Sequence, residues 1–179
     1  MNLRQSIFLL LLLCVPFSVN ASSSDNWEAF SNIGAYGLVG FALAAPAYTD
    51  DWEGFKQAGY SVATASGVGL LGKSLVNEQR PDKSGNDSFP SNHTANAFSA
   101  ATTLNQRYGW EYGFPAFGVA TLVGVGRVQA DKHYWKDVLA GAVIGVSSGW
   151  AFTDVFDDNV QVVPWAGRRD VGLAASVNW

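Results

Sequence analysis

The chain has 179 residues, enough for one domain, with a formal net charge of −4 and a mean hydropathy of +0.07. It has no basic run, which argues against nucleic acid as a partner. Its one cysteine, Cys14, lies in the first apolar stretch, so the rest of the chain has no thiol for a disulfide or a thiolate metal site.

The start reads Met1-Asn2-Leu3-Arg4, then an apolar run from Ile7 to Val15, then Val19-Asn20-Ala21. A positive end, a short apolar run and a V-x-A site predict a secretory signal peptide over residues 1–21. A single domain then covers 22–179, exported to the periplasm or cell envelope. The alternative is an uncleaved anchor in an integral inner-membrane protein with its site on the periplasmic face. Val15 and Pro16 after Cys14 do not suit lipid attachment.

Five helices are expected: Glu28 to about Tyr48, Trp52 to about Asn77, His93 to about Arg107, Tyr112 to about Val128, and Lys132 to about Phe156. The fold class is therefore mainly α. Glycines recur along them (Gly34, Gly37, Gly40; Gly67, Gly69, Gly72; Gly141, Gly145, Gly149), and small residues let helices approach closely. Towards the end, Val171, Leu173, Ala175, Val177 and Trp179 alternate with smaller or polar residues. That period of two, after the β-like Val160–Pro164 run, predicts a hairpin at about 160–179. Ala29 to Thr49 and Tyr112 to Gly126 are uncharged, yet the His93 segment carries Thr94, Asn96, Ser99, Thr102, Thr103 and Asn105. Its polarity favours a soluble or membrane-associated bundle over a set of ordinary spans.

The cations fall in two short stretches: Lys73, Arg80 and Lys83, then Arg127, Lys132 and Lys136. This grouping suits an anion site and equally suits ordinary surface charge. The only histidines, His93 and His133, each stand near an expected helix start, where free N–H groups and the dipole attract anions. Ser91 is placed to cap the third helix and equally to touch a phosphate. His133 and Asp137 are four apart, so on a helix they share a face; the pair reads either as a simple helix pair or as a catalytic dyad. Lys73 and Arg80 read alone as a charged helix end. The carboxylates do not cluster at ligand spacing, so no metal or other cofactor is expected.

Taken together, Lys73-x6-Arg80-Pro81, Pro90-Ser91-Asn92-His93 and Arg127-x5-His133-x3-Asp137 resemble the three-part signature of the phosphatidic acid phosphatase type 2 superfamily. That group holds lipid phosphatases, bacterial non-specific acid phosphatases and vanadium haloperoxidases. Each part is weak alone, and the ordered set is specific. The resemblance implies that His133 attacks phosphorus to form a phosphohistidine and that Asp137 orients it. It implies that His93 protonates the leaving oxygen and then activates water. Lys73, Arg80, Arg127, Ser91 and the Asn92 N–H would hold the phosphoryl oxygens. Two positions depart from the usual pattern: Asn92 stands for a glycine and Gly126 for a serine. The implied activity is metal-independent hydrolysis of phosphomonoesters, the partner being a soluble or lipid phosphate or a polyprenyl pyrophosphate, with possible membrane association. A vanadate-dependent haloperoxidase and a non-catalytic anion-binding envelope protein are the alternatives. Trp110, Tyr112, Phe114, Tyr134 and Trp135 are read as core in preference to an apolar pocket mouth.

Overall fold

A computed structural model describes residues 24–47 and 50–154 with their side chains. The expected signal peptide (1–21) and the expected hairpin (about 160–179) lie outside those fully described residues. Five helices follow one another: α1 (Ser24–Tyr48), α2 (Trp52–Leu75), α3 (Asn92–Tyr108), α4 (Trp110–Gln129) and α5 (Trp135–Phe152). The mainly α expectation holds over this part of the chain.

The helices run up and down, and their connections are unequal. At one end α1 passes to α2 through residues 49–51, and α3 passes to α4 at Gly109, whose φ of 85° lets the chain reverse in a single residue. At the other end, residues 76–91 link α2 to α3 and residues 130–134 link α4 to α5. The second end therefore has the spare backbone, and all three motifs lie there.

Helix α3 is the axis, packed against the other four. Apart from Arg107 at its end, its buried residues are small: Thr94, Ala95, Ala97, Ser99, Ala100, Ala101, Thr102 and Thr103, with Leu104 the largest that is fully buried. Thus the polarity that argued against ordinary spans belongs to the centre of the bundle and says nothing about what surrounds it. On α5, a Cβ at Gly141, Gly145 or Gly149 would stand 2.5 Å from the Ser91 carbonyl oxygen, 2.3 Å from that of Ala95 and 2.5 Å from Thr102 Cβ. Glycine every fourth residue thus brings α5 against the α3 backbone, as small-residue stripes do in close helix pairs.

At the short-loop end a polar network closes the bundle. Arg107 donates through Nε to Asp51 Oδ2 at 2.7 Å and through Nη2 to Oδ1 at 2.5 Å. Tyr108 donates to the same carboxylate at 2.9 Å, and Gln57 accepts from Arg107 Nη1 at 3.2 Å.

Large apolar side chains are on the outside. Ile33, Leu70, Leu71, Phe114, Leu122, Leu139 and Val143 are exposed, as are Trp52, Trp110 and Trp150 near one end and Trp135 near the other. Trp110 and Phe114 are 73% and 79% exposed, which overturns the core reading for both. A centre of Ala, Ser, Thr and Gly has no room for such rings. They also sit at the opposite end of α4 from Arg127, so they do not line the mouth of the motif-bearing end. Tyr134 and Trp135 are exposed beside it, and only Tyr112 packs against the core.

Candidate active site

Motif one leaves α2 at Lys73 and runs into the long loop. Arg80 meets Asp87 as a fork, Nε to Oδ1 at 2.8 Å and Nη2 to Oδ2 at 2.9 Å. Lys73 Nζ stands 3.8 Å from the same carboxylate and donates to the Asp87 carbonyl. Two of the expected phosphate-holding cations therefore share one acid. Arg80, hydrogen-bonded to it, holds the Asp87 carboxyl below its ordinary range.

Motif two opens α3. Ser91 is the N-cap residue, as expected, but its hydroxyl makes no capping hydrogen bond; it pairs with Thr94 Oγ1 at 3.0 Å. Its backbone N–H donates to the Asp137 carbonyl at 3.1 Å, tying motif two to motif three. Asn92 fits because of its neighbour: a Cβ on Gly69 would fall 1.8 Å from Asn92 Oδ1. The amide that replaces the usual glycine is housed by a glycine on α2. Next along, the His93 ring meets the edge of Tyr36 on α1, centroids 5.6 Å apart.

Motif three ends α4 at Arg127 and turns through residues 130–134. The expected helix over Lys132 onward starts later, at Trp135. Asp131 has a positive φ of 54°, Tyr134 is extended, and Asp137 accepts from the Tyr134 N–H at 2.9 Å in a capping box. His133 therefore stands before the helix, and the shared-face account of the pair gives way to a turn that folds the ring back over the cap. His133 Nδ1 lies 3.6 Å from Asp137 Oδ2, with the side chains 2% and 0% exposed. That distance is ion-pair range, beyond a hydrogen bond. Asp137 Oδ2 instead accepts from Ser88 Oγ at 2.5 Å.

Arg127, 2% exposed, reaches α1, where Nη1 is 3.1 Å from Asn32 Oδ1 and 3.5 Å from Ser31 Oγ. Burial, then the positive charges of Arg127, Lys73 and Arg80, push the His133 imidazole down to about 3. The ring is thus neutral at physiological pH, with a lone pair available. The same three cations act electrostatically on His93, so both histidines share one positive field.

All eight expected site residues thus gather at the long-loop end. Lys132 and Lys136, grouped with them by sequence, serve other ends. Lys132 bridges Glu28 on α1 at 3.2 Å and Asp82 in the long loop at 3.0 Å; Lys136 meets Glu78 at 2.5 Å. Sequence reading missed Ser88, Asp87, Ser31, Asn32 and Tyr36. Ser88 and Asp87 adjoin motif two and could have been noticed as polar neighbours; the α1 residues carry no local signal. A groove of about 360 Å³ beside His93 is walled by Ala35, Tyr36 and Val39 on α1 and by Asn92 and Asn96 on α3. Ser66 donates to Asn96 Oδ1 at 2.8 Å, which fixes that amide.

A five-helix bundle with three cations, two histidines and a buried carboxylate at one end defines the class. The PAP2 superfamily model matches residues 54–161, and the chain belongs to that superfamily. It is similar to the lipid A 1-phosphatase of Porphyromonas gingivalis, 34% identical over 105 residues, which are 54% of this chain and 23% of that one. It is also similar to the lipid A 4'-phosphatase of Helicobacter pylori, 32% identical over 101 residues, 51% of this chain and 49% of the other. The chain thus matches at most about half the length of these relatives. Among solved structures it shares its fold with Aquifex aeolicus LpxE, with a TM-score of 0.62 at 24% identity, over 79% of this chain and 92% of that one. It shares it also with a transmembrane PAP2 type phosphatidylglycerolphosphate phosphatase from Bacillus subtilis, with a TM-score of 0.53 at 23% identity and 84% coverage of each.

Proposed function

We propose that the chain is a metal-independent lipid phosphate phosphatase of the cell envelope, working through a phosphohistidine on His133. The observation that carries this reading is the convergence of Lys73, Arg80 and Arg127 on a buried, neutral His133 backed by Asp137, with His93 in the same field. Preplaced cations stabilise the charge on a transferring phosphoryl group, and positioning supplies much of the rest. In the first step the His133 lone pair forms a bond to phosphorus and the bond to the leaving oxygen breaks; His93, protonated once the bound phosphoryl anion offsets the field of the three cations, gives that oxygen its proton. In the second, a water oxygen attacks phosphorus, the N–P bond breaks, and His93 takes the water proton. Inorganic phosphate leaves and both rings return to their starting states.

A lipid substrate is favoured by the surroundings. Large exposed apolar surface marks a membrane or partner surface, and here large apolar side chains are exposed on all four outer helices, with exposed tryptophans near both ends. Trp and Tyr at such levels anchor proteins in membrane interfaces. Helix α1 is long and apolar enough to cross a bilayer by length and composition. We read the bundle as embedded, with the motif-bearing end at the lipid surface. The groove beside His93, apolar on α1 and amide-bearing on α3, takes the leaving group. Since the curated relatives are named for lipid A phosphates, lipid A phosphorylated on its sugar is the first substrate to try, then phosphatidic acid.

The test is phosphate release in detergent from lipid A, phosphatidic acid and para-nitrophenyl phosphate, by the protein and by His133→Ala. Release from the lipids, abolished in the variant, is expected, with an acid-labile phosphoryl adduct trapped on wild type alone. Turnover by His133→Ala at the wild-type rate would overturn the mechanism. Preference for the small ester would overturn the lipid reading.

A further inference from the structure

The family match begins at residue 54 and leaves α1 outside it, yet one face of α1 touches the site or the turn beside it at every turn of the helix. Glu28 pairs with Lys132, Ser31 and Asn32 meet Arg127, Tyr36 meets His93, and Ala35 and Val39 wall the groove. Positions 28, 31, 32, 35, 36 and 39 follow the spacing of a single helical face.

Arg127 depends most on that face. A guanidinium has five N–H donors in a rigid fork. In this buried one, Nε has no partner among the described residues, and Nη1 has acceptors only on α1. Ser31 is fully buried and donates its own proton to the Glu28 carbonyl at 3.0 Å, which leaves its oxygen as the acceptor facing Arg127. The approach is possible because the residue before Arg127 is Gly126. A Cβ there would sit 3.0 Å from Ser31 Cβ, 3.4 Å from the Trp27 carbonyl oxygen and 3.5 Å from the Phe30 ring. The third motif lacks a hydroxyl at this place, and α1 brings one in.

We propose that α1 is a working part of the active site, with Asn32, supported by Ser31, the positioning residue that aims the Arg127 guanidinium at the phosphoryl group. This rests on the reading of Arg127 as a phosphate holder. With Nη1 tied to α1, the fork cannot swing, and the remaining N–H groups stay free for substrate oxygens. Without Asn32 the guanidinium keeps its charge but loses its direction. Affinity for the phosphoryl group should then fall even though every motif residue is intact.

The measurement is binding of orthovanadate and inorganic phosphate to the full chain in detergent, by calorimetry, for wild type, Asn32→Leu, Asn32→Asp, Ser31→Ala and Arg127→Lys. Kinetics on a lipid phosphate run alongside. A hydrogen bond to a charged group is worth a loss on the order of tenfold or more. Asn32→Leu should therefore weaken vanadate about tenfold, with a matching fall in kcat/KM. Asn32→Asp, which keeps an acceptor, should recover most of that, and Ser31→Ala should fall between. In the Arg127→Lys background, adding Asn32→Leu should cost little more, because the guanidinium it aims is gone. Unchanged vanadate binding in Asn32→Leu, or equal losses in the Leu and Asp variants, overturns the proposal. If Arg127→Lys binds vanadate as wild type does, it is the underlying reading of Arg127 that fails. If Asn32→Leu does not fold, the contrast of Ser31→Ala with Asn32→Asp decides in the same way.

Discussion

Removing one hydroxyl, in Ser88→Ala, separates the support of the His133–Asp137 pair from the pair itself. Ser88 and Asp137 are both fully buried, and the Ser88 hydroxyl donates to Asp137 Oδ2 at 2.5 Å. Among the described residues the only other donor to that oxygen is the Tyr134 N–H at 2.9 Å, and Asp137 Oδ1 has no partner. The carboxylate thus has two hydrogen bonds and would keep one. Hydrogen bonds to charged groups contribute about 1.5–3 kcal/mol, and a buried charge deprived of one loses most of that. Stability should fall by about 2 kcal/mol on this scale. The kinetic effect follows from geometry: without Ser88 the carboxylate is free to shift relative to His133 Nδ1, now 3.6 Å away. Because Lys73, Arg80 and Arg127 are untouched, KM should change little while kcat falls about tenfold, short of the roughly hundredfold cost of a full 1 Å misplacement. Initial rates over a lipid phosphate series, with unfolding of the same preparations by denaturant in detergent, check both parts. A raised KM with kcat intact would refute the reasoning, as would a folded variant with full kcat.

Three further outcomes are expected. Arg107→Met breaks a buried pair, 9% and 5% exposed, at a cost of about 3–5 kcal/mol. Since it lies about 21 Å along α3 from His93, the folded fraction should keep its kcat/KM; thermal unfolding and specific activity read the two. Gly69→Ala should lose activity because its Cβ would meet Asn92 Oδ1 at 1.8 Å, and adding Asn92→Gly should restore the activity if that collision is the cause. The third concerns pH. Unfolded His133 takes a proton near 6.5, folded His133 only near 3, so between those values the unfolded state binds the extra proton. Stability should fall as pH drops through that window, by up to about 1.4 kcal/mol per unit for this group, and this part should vanish in His133→Asn. Melting temperatures from pH 4 to 8 for both proteins test it.

The three motifs were legible because the chemistry fixes residue types at short spacings, and helix existence was legible from long apolar segments. Boundaries failed where a local device outweighed propensity. Lys132 and His133 are compatible with helix, but the positive φ of Asp131 and the Asp137 capping box move the start of α5 to Trp135. The burial of Trp110 and Phe114 was misjudged because large aromatic residues were weighed by their usual place in cores. Here the core is built from Ala, Ser, Thr and Gly, so helices meet backbone to backbone and the large side chains turn outward. The contribution of α1 could not be read, since Asn32 and Arg127 are 95 positions apart and nothing in either segment names the other.

Close packing in the core also explains how the proposed catalytic groups are placed. His93 is carried by α3 and Asp137 by α5, and these two helices are held by the Gly141, Gly145 and Gly149 stripe rather than by long side chains with many rotamers. The Ser91 N–H then reaches the Asp137 carbonyl directly. A backbone contact fixes relative position more firmly than a side-chain contact can, because no rotamer is left to relax. On the opposite side, Gly126 lets α1 close on Arg127 in the same manner. His93, Asp137 and Arg127 are therefore set by helix-to-helix distances. The long loop contributes less: it delivers Arg80 and Asp87 as a unit and is tied down by Lys132 and Lys136 through Asp82 and Glu78. Such a division of labour lets the outer surface become apolar without disturbing the geometry of the site.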